Sequence, residues 1–112
     1  MQYLIELYTP TAKWQALSSD EKSSFLSSIA NGMQALAEYK MQVISMGKID
    51  SNVSNTSEHS FFAIWSFDDQ AARDVLIAAI SSTGWHDYFQ TINAAGHGVQ
   101  FPEHMQQLLE IM

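Results

Sequence analysis

The sequence predicts one α+β domain whose elements run β-α-β-β-α-β before a short terminal helix. Three observations carry this. Three short runs, Gln2–Tyr8, Lys40–Ile49 and Ser60–Phe67, are rich in β-branched and aromatic residues and end at turn formers. Two longer stretches repeat apolar residues at helical spacing instead. The chain has 112 residues, 46% of them hydrophobic, which suits one domain with a real core and is too short for two.

The first strand, Gln2 to Tyr8, stops at Thr9-Pro10, because proline removes a ladder donor. Ser18 stands three residues before Glu21, the spacing at which each side chain satisfies a free backbone N–H at a helix start. Phe25, Ile29, Met33 and Leu36 continue that helix from about Ser19 to Tyr39, through the weakening pair Asn31-Gly32. Lys40–Ile49 is the second strand, with Gly47 marking a bulge. Asp50–Ser60 is a polar hairpin loop, and Ser60–Phe67, apolar on both faces, reads as a central strand. Asp68-Asp69 caps the second helix, whose stripe of Ala72, Val75, Leu76, Ala79 and Ile80 ends near Thr83-Gly84. Trp85 to Asn93 follows as the fourth strand, broken by Gly96 and Gly98, and Pro102 starts a terminal helix bearing Met105, Leu108, Leu109 and Met112.

Composition excludes several functions. Twelve acidic residues against five basic give a formal net charge of −7, which repels phosphate backbones and anionic lipid, so neither nucleic acid nor a membrane surface is expected as a partner. The absence of cysteine removes disulfides, thiolate nucleophiles and cysteine-held metals. The opening segment lacks the basic start and apolar run of a secretory signal, and no apolar stretch reaches the length of about 18 residues that spanning requires. A cytoplasmic location is the expectation, and the triplets at Asn52 and Asn55 then have no glycosylation role. His59, His86, His97 and His104 form no close ligand pair, so no metal is expected, and the phosphate-binding glycine motifs and the Gly-x-Ser-x-Gly elbow are absent.

The element order is the split βαβ, or ferredoxin-like, arrangement, in which both helices cover one face of an antiparallel sheet. Alternation puts Tyr3, Ile5 and Leu7 on one face of the first strand and Leu4, Glu6 and Tyr8 on the other. A charge is unfavourable beneath helices, which assigns Glu6 to the open face together with Phe61, Ala63, Trp65 and Phe67, and with Ile44 and Met46 of the second strand. An apolar face of this kind calls for a cover, most simply a second copy of the sheet.

With the stretches ELYTPTAKWQALS, FFAIWSF and GWHDYFQTINAAG, this order resembles the dimeric α+β barrel superfamily, and within it an uncharacterised bacterial group with a Gly-Trp-x-Asp-Tyr-Phe segment. The resemblance covers Gln2 to about Gly96. It implies a homodimer whose sheets form a barrel, with a small-molecule cleft in each subunit. The superfamily includes cofactor-free monooxygenases, haem-handling enzymes and muconolactone-isomerase-like proteins, so the resemblance selects no reaction. Haem on His59 or His86 rests on that analogy alone, and no basic anchor for its propionates is evident; no cofactor is therefore assigned.

Glu6 is the candidate general base, or else an edge charge bonded to a tyrosine. His86 is the candidate proton-transfer partner, or else a surface residue. Tyr8 and Tyr88 offer hydroxyl donors, Trp65 a stacking wall, and Asp87 either orients a ring or caps the turn after Gly84; each can equally fill a core. Two functions fit: a metal-independent enzyme, monooxygenase- or isomerase-like, acting on a small apolar or aromatic metabolite, or a homodimer that binds such a molecule without transforming it.

Overall fold

The structure is a computed structural model and describes residues 1–111. Strand β1 (Gln2–Pro10) leads through a single helical turn, α1 (Ala12–Gln15), to α2 (Ser19–Gln34); a 3-10 turn over Ala37–Tyr39 precedes β2 (Met41–Lys48) and β3 (Phe61–Phe67). Helix α3 (Gln70–Ser82), the short α4 (Trp85–Tyr88), β4 (Phe89–His97) and α5 (Phe101–Leu109) complete the chain. The sheet order is β2-β3-β1-β4, every neighbouring pair antiparallel. This is the expected ferredoxin-like arrangement, with the two most apolar strands at its centre.

Local chemistry sets most boundaries. The Ser18 hydroxyl accepts from Glu21 N at 3.1 Å while Glu21 Oε1 accepts from Ser18 N at 2.9 Å, which completes the capping box. Asp69 caps α3 by accepting from Ala72 N at 2.8 Å. Thr11 caps α1, a turn that the sequence pattern did not reveal. Helix α2 ends at Gln34, short of the expected Tyr39, because the chain tightens into the 3-10 turn and Lys40 takes a left-handed conformation (φ 48°) to enter β2. The bulge in β2 falls at Ile44, between Val43 and Ser45, and not at Gly47, which keeps its register opposite Phe62.

Two expectations are corrected. The fourth strand starts at Phe89, not Trp85: Gly84 adopts φ 86°, open to glycine, and turns the chain so that Trp85–Tyr88 forms a helical turn. Strand alternation therefore does not apply to His86, Asp87 and Tyr88. Strand four does lie beside β1, from Gln2 opposite His97 to Pro10 opposite Phe89, and Gly96 stays within it.

The second correction concerns the faces of the sheet. Leu4, Ala63, Trp65 and Phe67 pack with Ala72 and Leu76 of α3, so the face holding Glu6 lies under the helices. Phe61, Trp65, Phe67 and Met46 are on that covered side too, since Phe61 pairs with Tyr8, and Met46 with Ala63. The open face instead carries Tyr3, Ile5 and Leu7 of β1, Phe62 and Ile64 of β3, and Ile92 of β4. It remains apolar, with Ile5 41% and Ile92 55% exposed. Glu6 tolerates its position because one indole N–H meets it there.

Candidate functional site

Glu6 sits mid-sheet on β1, opposite Ala63, and is only 4% exposed. Trp65, two residues along β3 on the same face, donates its Nε1 proton to Glu6 Oε1 at 2.7 Å, a short charge-assisted bond. Among the described residues no group donates to Oε2 and no buried side-chain nitrogen or oxygen lacks a partner, so Oε2 reaches open space. That space is a cavity of about 440 Å³ between the sheet and helices α2 and α3. Glu6, Tyr8, Ala63 and Trp65 form its floor; Leu26, Ile29 and Met33 of α2 and Ile80 of α3 form its roof; Val43 and Met46, half-exposed, line one side, and Thr83 and Trp85 another.

Carbon dominates this lining. No lysine, arginine or histidine contributes to it, and the indole N–H of Trp85 is already given to Thr91 Oγ1 at 3.2 Å. Burial raises the Glu6 pKa above 4.5; the Trp65 hydrogen bond and the charge of His86 pull it back only in part. The Tyr8 pKa also lies above its ordinary value, through burial first and the Glu6 charge second, so the phenol keeps its proton. Tyr8 is wedged edge-on against Trp85 (5.2 Å between centroids) and stacked on Phe61 (5.7 Å), and its hydroxyl has no partner among the described residues. A proton-accepting carboxyl and a hydroxyl donor thus share one apolar chamber.

The structure brings Glu6, Tyr8 and Trp65 together on this floor and sets His86, Asp87 and Tyr88 on the adjoining turn α4. His86 is exposed and does not line the cavity, although its charge acts on Glu6. Tyr88 packs edge-on against Phe25 at 4.8 Å and Trp14 at 5.7 Å. Asp87 is exposed; its carbonyl and that of Tyr88 accept from the Thr11 hydroxyl at 3.2 and 3.0 Å, tying α4 to the end of β1. Trp85, Met33 and Ile29 are wall residues that the sequence reading did not select. Ile29 and Met33 stood in the helical stripe as core, and periodicity alone does not separate a core position from a cavity wall.

Among the described residues no group of three or more His, Asp or Glu could hold a metal ion. The chamber does not fit a haem, because it offers neither an imidazole for the iron nor a cation for the propionates. A second hollow of about 340 Å³ beside Met1, Lys40, Gln42 and Asp68 has its charges exposed and no buried acid. No helix of the described residues is long and apolar enough to cross a membrane.

Fold and site together define a ferredoxin-like α+β protein with a carboxyl-bearing apolar chamber between sheet and helices. Residues 1–111 match the family described as "Family of unknown function (DUF6616)", and the chain belongs to that family. No curated protein matches it. Solved structures share the fold at low identity. A dimeric ferredoxin-like protein of unknown function from Thermobifida fusca superposes with a TM-score of 0.53 at 10% identity, covering 87% of this chain and 90% of the other. A mutant chlorite dismutase from Candidatus Nitrospira defluvii gives 0.61 at 11% identity over 97% of this chain, which spans only 47% of that larger protein. SnoaB, a cofactor-independent oxygenase from Streptomyces nogalater, gives 0.50 at 12% identity over 88% of this chain and 93% of its own.

Proposed function

We propose that the chamber binds a small, uncharged, largely apolar or aromatic molecule and that Glu6 exchanges a proton with it, in a metal-independent reaction of isomerase type, or of monooxygenase type with dioxygen as the oxidant. One observation carries this reading: a buried carboxyl whose second oxygen opens onto a cavity walled by carbon. An anionic ligand is disfavoured, since Glu6 would repel it and no cation lines the wall. A ligand hydroxyl or an acidic C–H can instead give its proton to Oε2 while Tyr8 donates to a neighbouring oxygen. Trp65 holds the carboxylate in place and forms part of the stacking floor. His86, exposed on α4, modulates the Glu6 charge; Asp87 and Tyr88 fix the turn that positions Trp85. SnoaB, a cofactor-independent oxygenase, supports the view that this fold can host oxygenase chemistry without a cofactor.

The protein is proposed to act as a homodimer through its open sheet face. Support comes from the exposed Ile5 and Ile92 beside Leu7, Phe62 and Ile64, and from the dimeric Thermobifida fusca protein that shares the fold. The site is tested by screening phenols and quinones by ligand-observed NMR against the wild type and Glu6→Gln, then following the complexes of both proteins for conversion. Binding by both proteins with conversion by the wild type alone supports the catalytic reading. Binding by both with no conversion by either assigns the chamber to ligand capture, and binding by neither removes the chamber as a site.

A further inference from the structure

We infer that α5 is an exchanged arm that docks on the second copy of this chain, enlarging the sheet-to-sheet interface; the inference rests on the homodimer proposed above. Within its own chain the helix buries no residue, yet it is built for burial. Phe101, Met105 and Leu108 fall at i, i+4 and i+7, one stripe of a helix, and Leu109 extends it. Phe101 is 74% and Leu109 78% exposed, and Ile111 just beyond is exposed as well. An isolated nine-residue helix is too short to be stable by propensity, so its order calls for a packing surface.

The path of the chain points to which surface that is. Gly98 follows β4 and crosses directly over the ring of Tyr3: a Cβ there would lie 2.4 Å from Tyr3 Cε2, and Gly98 N donates to Met1 O at 3.0 Å. Tyr3 belongs to the open face, so the glycine lets the chain leave the sheet on the side where Ile5, Leu7 and Ile92 await a cover. A copy stacked on that face by a two-fold axis meets the emerging arm, and symmetry returns the second arm to the first copy. A membrane is the poorer occupant. Residues 98–111 contain Glu103 and Glu110 and no lysine or arginine, a charge pattern that anionic lipid repels.

The test uses the full chain. Sedimentation equilibrium compares the wild type with the double variant Leu108→Glu/Leu109→Glu, and intermolecular NOEs are collected from a wild-type mixture of ¹³C-methyl-labelled and unlabelled chains. The expected result is a dimer dissociation constant raised roughly tenfold or more in the variant, and NOEs from the Leu108 and Leu109 methyls to the unlabelled copy. A dimeric wild type whose variant associates equally well, with no intermolecular NOE to α5, overturns the arm and leaves the dimer standing. A wild type that stays monomeric at micromolar concentration overturns the dimer and the arm together.

Discussion

Burial of Glu6 raises the free energy of its ionised form, and the Trp65 indole N–H and the His86 charge offset only part of that cost. A carboxyl whose folded pKa exceeds its unfolded value binds its proton more tightly in the native state, so ionisation lowers stability. The penalty is absent below the unfolded value near 4.5, grows as pH rises from there, and is complete above the folded pKa. Glu6→Gln, which keeps an acceptor for Trp65, should therefore be more stable than the wild type at pH 7, the difference closing as pH falls towards 4.5. Thermal unfolding across that range reads it, and a constant difference would mean that Glu6 does not titrate as described. Trp65→Phe keeps an aromatic ring and removes the one donor to the carboxylate among the described residues. It should cost about 1–3 kcal/mol at neutral pH, by urea unfolding, and less once Glu6 is protonated.

The helix ends and turns that frame the chamber depend on single positions. Removing the Ser18 hydroxyl breaks the half of the capping box donated by Glu21 N and leaves Ser18 N donating to Glu21 Oε1, so Ser18→Ala should destabilise by about 1 kcal/mol. At Gly84 the φ of 86° is what converts the residues after α3 into α4 and places Trp85 against Phe89, with 4.2 Å between ring centroids. Gly84→Ala should cost about 1–2 kcal/mol in left-handed strain; tryptophan fluorescence should report a changed environment for Trp85, and ligand affinity should fall with it. An alanine variant with wild-type stability and affinity would show that the turn is not held by this conformation.

At the scale of the whole molecule, one sheet serves two purposes. Its covered face carries the chamber, and its open face presents Ile5, Leu7, Phe62, Ile64 and Ile92. A charge at the centre of a packed interface is desolvated without a partner, so Ile5→Lys should yield a monomer in sedimentation experiments at micromolar concentration. Because Ile5 points away from the chamber, ligand binding to the folded monomer should survive, which separates assembly from the site. A variant that remained dimeric with unchanged affinity would move the interface elsewhere.

Much of this was legible in the sequence because it is decided locally. The β-branched and aromatic runs Gln2–Tyr8 and Ser60–Phe67, the Ser18–Glu21 pair, the Asp69 cap and the helical stripes determine the elements, and their order leaves the ferredoxin-like sheet as the natural topology. Glu6 and Tyr8 were likewise visible as a pair, since period-two alternation puts them on one face of β1, while the register of β3 against β1 is what sets Trp65 on that face. Which face they share was decided only by tertiary structure. The rule that charges avoid the helix side weighs a residue by itself, whereas Glu6 is held by a donor 59 positions away in sequence that only strand pairing brings to 2.7 Å. The fate of Trp85–Tyr88 was beyond alternation for a similar reason. Their aromatic content suits a strand, but the left-handed Gly84 and the Thr11 hydrogen bonds to the Asp87 and Tyr88 carbonyls favour the helical turn, and those bonds exist only once β1 and α4 have met.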